Sequence, residues 1–198
     1  MIIAIKEKDN TVVGFSNTEV LFKFTNADYI DRENLPIRFT EKGKLLGFTY
    51  MNRMSDMFLY DENFINIETN EKSIVREFIP FIKKKLKENN LTIDNGTGWE
   101  NSIIICDNNH LYDVDTKFGF CEIDDYVCHG LSYNVEAIRS VLDLTKNMPA
   151  KQRIIEAVNF TSKLIKRSLF PLVMVDTKTQ KFEYILKGEK EIEYFDSL

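Results

Sequence analysis

Residues 1–17, MIIAIKEKDNTVVGFSN, set the frame for everything after them. Ile3, Ile5, Val12 and Val13 are the apolar positions and Lys8-Asp9-Asn10 is the polar middle, the pattern of two strands joined by a tight turn. The first strand is expected to start at residue 1 with no signal peptide ahead of it, and no apolar run elsewhere approaches the ~20 residues that span a bilayer. The expectation is a cytoplasmic protein with no membrane partner.

The rest of the chain continues in strand-like and helix-like blocks. Residues 19–41, with Pro36 and many polar side chains, read as irregular strand and loop. Leu45-Leu46-Gly47-Phe48 leads into a short helix marked by Met51, Met54, Phe58 and Leu59. Thr69 or Asn70 caps a longer helix whose inner stripe is Ile74, Phe78, Ile82 and Leu86, and Pro80 predicts a kink or break within it. Residues 89–101 are loop by their Asn, Asp and Gly content. Three short strands follow over Ser102–Cys106, Leu111–Val114 and Phe120–Ile123, with an extended Tyr126–Cys128 close behind, and pairing of sequence neighbours is the expected topology.

Two helices come next. One covers Tyr133–Lys146 with Val135, Ile138 and Leu142 inward; the other starts near Pro149 with Ile154, Val158 and Ile165 inward. Residues 171–186 predict a closing hairpin in which Val173 and Val175 face Phe182, Tyr184 and Leu186, and residues 187–198 read as a loose charged tail. Strands, two helices, strands, two helices, strands: this grouping implies an α+β sandwich rather than a parallel βαβ sheet. A chain of 198 residues removes about 70% of its unfolded surface from water on folding, enough for one domain over residues 1–186.

A formal net charge of −5 with both signs interspersed argues against a nucleic-acid partner, which needs a basic stripe. The dense run Lys83-Lys84-Lys85 with Lys87 reads as the solvated face of a helix. Cys106, Cys121 and Cys128 lack paired metal-ligand spacing and read as reduced core residues.

The order of elements, beginning with a strand at residue 1, resembles the proteasome β subunit and its bacterial relative, the HslV peptidase. IIAIKEKDNTVVGFSN is similar to that family's first hairpin, and KLLGFTYMNRMSDMF to its glycine-containing strand entering the first helix. SIIICDNNHLYDVD through YVCHGLSYNVEAIRSVL is similar to its central strands and third helix. The resemblance implies a four-layer αββα sandwich of the N-terminal nucleophile hydrolase type.

In that family the nucleophile is the hydroxyl of an N-terminal threonine, and the α-amine of the same residue takes its proton. An α-amine titrates at about 7.7 to 8.0 and is partly neutral at physiological pH, so it can do this. Here Met1, or Ile2 if the register shifts by one, holds the place, and neither carries a hydroxyl or thiol. With the bulky Ile2 behind it, Met1 is expected to stay on the chain. The family's aspartate falls on Asn17, preceded by Ser16, and its lysine falls near Leu35, with Arg38 three residues on. Its glycine-serine-glycine turn reads Cys128-His129-Gly130, and its acidic position after the last long helix falls on Lys163. Removing one member of a coupled catalytic set costs on the order of 10⁴ to 10⁶ in rate, so five changes together imply that the peptidase chemistry is absent.

Other constellations are weaker. Cys128-His129 invites a thiolate-imidazole reading, but neighbours on a strand point to opposite faces; Cys128 and Ser16 are the alternative nucleophiles. His110 with Asp107, Asp113 and Asp115 could ligate a metal across a hairpin, yet a polar turn explains DNNH more simply, and no metal or cofactor is expected. GTGWE at 96–100 lacks the lysine and hydroxyl of a phosphate loop, and Trp99 reads as a partner contact or a core cap. Part of the aromatic surplus, 15 Phe and 8 Tyr, is expected on protomer interfaces. The resemblance implies a homo-oligomer, in a ring or related assembly, whose partners are a second proteasome-like subunit or a peptide client. A hydrolase with a nonstandard nucleophile is the rival expectation.

Overall fold

The computed structural model describes residues 1–16, 37–49, 57–58, 61–92, 101–107, 109–185 and 192–195. In chain order the strands are β1 (Ile2–Lys6), β2 (Thr11–Phe15), β3 (Ile37–Phe39), β4 (Leu45–Phe48), β5 (Ile103–Asp107), β6 (His110–Val114), β7 (Phe120–Glu122), β8 (Tyr126–His129), β9 (Leu172–Asp176), β10 (Phe182–Ile185) and β11 (Ile192–Phe195). The helices are α1 (Glu62–Asn66), α2 (Glu71–Ser73), a π-helical turn (Ile74–Phe78), α3 (Ile79–Glu88), α4 (Ser132–Leu144) and α5 (Ala150–Leu164). They fall into two compact units, Met1–Asn34 with Asp125–Leu198, and Leu35–Asp124.

The first unit holds a six-stranded sheet in the order β11-β10-β9-β2-β1-β8. All its pairings are antiparallel, and the opening hairpin is registered Ile2↔Phe15 through Lys6↔Thr11. Ile3, Ile5, Val12, Cys128, Leu172 and Met174 line the face that packs with Ile138, Leu142, Ile154, Ala157 and Val158 of α4 and α5. The close approach of α5 needs Gly14, because a Cβ there would lie 2.7 Å from Ile154 Cγ2. The start of α5 is pinned from three sides. Glu7 accepts from the Ala150 amide at 2.8 Å, and Arg153 donates to Asp125 Oδ1 at 3.0 Å and to the Leu142 carbonyl at 3.1 Å. Pro149 sits one residue before the helix as its N-cap.

The second unit holds a five-stranded antiparallel sheet in the order β3-β4-β5-β6-β7. Its helix-packed core includes the predicted stripe Ile74, Phe78, Ile82 and Leu86, together with Leu46, Phe48, Ile103, Ile105 and Tyr112. Phe48, Phe58, Phe64 and Phe78 run through it as a chain of ring contacts at 6.0, 5.1 and 4.8 Å. Asn70 caps α2 by accepting from the Ser73 amide at 2.9 Å, whereas Thr69 donates to Asp107. Pro80 occupies the first turn of α3, directly after the π-helical turn; the widened turn accommodates the missing N–H and the ring without ending the helix.

Three expectations are corrected and one element is added. β8 does not continue the β5-β6-β7 meander but pairs with β1, Ile3 opposite Cys128, because Val127 and Cys128 are buried in the first unit. The stretch expected to be a loose tail contributes β11, which pairs with β10 from Phe182↔Phe195 to Ile185↔Ile192; charged neighbours mask its short alternation in the sequence. α1 has no counterpart in the sequence reading: five residues are too few for periodicity, and Asp61 capping Asn63 with Phe64 in the ring chain holds it. Cys121 is exposed on the sheet-edge strand β7 rather than in the core. Of the short helix expected at Met51 to Leu59, only the helical Met57 and Phe58 are described; Met51, Met54 and Leu59 lie outside the described residues, as do Trp99, GTGWE and Leu186. No helix among the described residues is long and apolar enough to cross a membrane.

Candidate functional site

The β1–β2 ladder does not stop at residue 2. The Met1 α-amine donates to the Ser16 carbonyl at 2.8 Å, and the Ser16 amide donates to the Met1 carbonyl at 2.9 Å, so residue 1 is paired in both directions. On its other side β1 meets β8, with Ile2 opposite His129. Gly130 follows at once: a Cβ there would lie 3.3 Å from Met1 Cβ and Cγ and 3.4 Å from Met1 Cα, so the close fit against Met1 favours glycine.

A short polar chain holds the opposite side. The buried Ser16 hydroxyl donates to the Leu169 carbonyl, and the Leu169 amide donates to Ser162 Oγ at 3.0 Å. Ser162 in turn donates to the Val158 carbonyl at 2.7 Å within α5. Ser162 and Leu169 escape sequence reading, because a backbone carbonyl as acceptor leaves no side-chain signal.

Burial fixes the electrostatics. Desolvation lowers the Met1 α-amine from 8.0 to about 6, opposed weakly by Cys128. A group one unit below the ambient pH is neutral by about tenfold, so at pH 7 this amine is a free base. Neither Met1 nor the Ser16 to which it is bonded gives it a proton to take: the Met1 side chain carries a thioether, and the Ser16 hydroxyl is committed to Leu169.

The remaining candidates sort as follows. Cys128 is buried against Ile3, and desolvation pushes its thiol up to about 12, far from a thiolate at neutral pH. His129, half-buried, is its neighbour on β8 and pairs with Ile2 instead, so the two side chains leave the strand on opposite faces. Lys163 is exposed in the last turn of α5, where a cation complements the helix C-terminus. Arg38 is on β3 of the second unit, paired with Leu46. Asn17 and Leu35 lie outside the described residues. The hairpin carboxylates serve local structure: Asp107 accepts from Thr69, Asp115 from the amides of Lys117 and Gly119 at 2.7 and 2.8 Å, and His110 Nδ1 lies 2.7 Å from Glu122. Asp113 is opposite Cys121 in the β6–β7 ladder. Among the described residues no group of three candidate ligands converges.

No protein-family model matches the chain, and no curated protein does at the level of sequence. Its fold is far more telling. Thiobacillus denitrificans BPH aligns with a TM-score of 0.67 at 11% identity, over 89% of this chain and 97% of its own. Anbu (ancestral beta-subunit) from Yersinia bercovieri aligns at 0.60 and 13% identity, over 94% and 87%. Eukaryotic HslV from Trypanosoma brucei aligns at 0.58 and 11% identity, over 88% and 97%. The chain has the proteasome-type fold. The resemblance read from the sequence holds at the level of the fold, at identities of 11–13%. Two antiparallel sheets with helices packed against them are its mixed α and β frame here. A shared proteasome-type fold does not bring shared chemistry, which has to be argued from the residues at the β1 end.

Proposed function

We propose that this chain is a proteasome-type subunit without threonine-peptidase chemistry, working as a structural or binding member of a cytoplasmic assembly. One observation carries the reading: residue 1 is tied to Ser16 through both its amine and its carbonyl and offers a neutral amine beside hydrocarbon and thioether, while the neighbouring Ser16 hydroxyl is bonded to the Leu169 carbonyl. The degenerate position is therefore ordered by packing rather than held open for a substrate. Burial of Cys128 and commitment of the Ser16 hydroxyl count against the two substitute nucleophiles.

Assembly has its own support. Tyr133 (56% exposed) and Leu144 (86%) on α4, and Phe160 (50%) and Leu164 (60%) on α5, present large apolar side chains to solvent. Contiguous apolar surface marks protein–protein contact, and these four side chains are the ones an assembly would cover. In this reading the partner is a second copy or another proteasome-like subunit, and the role is a scaffold, a chamber wall or the retention of a peptide client.

The test joins three measurements on the purified protein. Intact mass establishes that residue 1 is Met1. A panel of fluorogenic peptides is assayed with and without epoxomicin, which was solved bound to the similar Thiobacillus denitrificans BPH; no turnover and no adduct are expected. Light scattering with negative-stain images is expected to give a closed oligomer. Turnover abolished by Cys128→Ala or Ser16→Ala, or a mass beginning at another residue, overturns the catalytic half of the proposal; a strict monomer at micromolar concentration overturns the assembly half.

A further inference from the structure

We draw no further inference here: the strongest candidate, the exposed apolar face of α4 and α5 around Tyr133, Leu144, Phe160 and Leu164, already serves the assembly proposed above, and nothing in the structure shows what covers it.

Discussion

The helices of the two units meet water differently. In the second unit, α2, the π-helical turn and α3 send Ile74, Phe78, Ile82 and Leu86 inward and present Lys72, Arg76, Lys84 and Lys87 outward, with Val75 the one large apolar side chain exposed among them. In the first unit, α4 and α5 bury an equally good inner stripe yet leave Tyr133, Leu144, Phe160 and Leu164 outside. One helical layer is finished against solvent; the other sets four large apolar side chains among polar ones such as Glu136, Arg139, Asp143 and Glu156 on its outer side. The inner stripe explains folding, and the exposed Tyr133, Leu144, Phe160 and Leu164 are the residues on which the proposed assembly rests.

The strongest way to break this contrast is in the second unit's core. Phe78→Ala removes the ring that ends the Phe48–Phe58–Phe64 chain and is expected to cost about 3–5 kcal/mol, read as a lowered denaturation midpoint. An unchanged midpoint would mean that the aromatic chain is not what holds the helices.

Next comes acidity, which addresses the first unit alone. The folded Met1 amine sits at about 6, below its ordinary 8.0. The unfolded chain therefore binds the extra proton first, so stability is complete above pH 8, falls through the window from 8 to 6, and has lost its full increment below 6. A depression of that size corresponds to about 3 kcal/mol. Denaturant titrations on either side of the window measure the change, and acetylation of the α-amine should abolish this component of it.

Gly130→Ala sharpens the same corner with a smaller effect. Its methyl group meets Met1 Cβ and Cγ at 3.3 Å, and the fit should cost about 1 kcal/mol, with Ser140→Ala on the exposed side of α4 as the control. The smallest change expected is from Lys84→Ala on the finished face. Its 4.0 Å pair with Glu88 is exposed at both ends, so stability should move by no more than about 0.5 kcal/mol. Phe160→Glu, on the unfinished face, should match it in stability but lower the particle mass. Equal particle masses for the two variants would erase the contrast between the units.

Periodicity makes much of the frame legible. Apolar runs on either side of a polar turn mark the opening hairpin, whose strands are buried on both faces, and spacing of four marks the stripe from Ile74 to Leu86, which records the one buried side of its helix. What they do not record is the partner. Val127 and Cys128 read as strand in either sheet, and only the folded structure seats them beside β1. β11 escapes the same reading because Ile192 and Tyr194 alternate over too few residues to stand out from flanking Lys and Glu. At the β1 end, that Met1 and Ile2 carry no hydroxyl is legible from the sequence alone. The link from Ser16 to Leu169 is not, since it ends on a carbonyl that every residue possesses.

The two-way pairing of Met1 with Ser16 bears on how the protein can be handled. An affinity tag fused ahead of residue 1 would convert a secluded amine into an amide and oblige added chain to exit beside Gly130. Material purified that way would report on an altered edge of the molecule, whatever its yield.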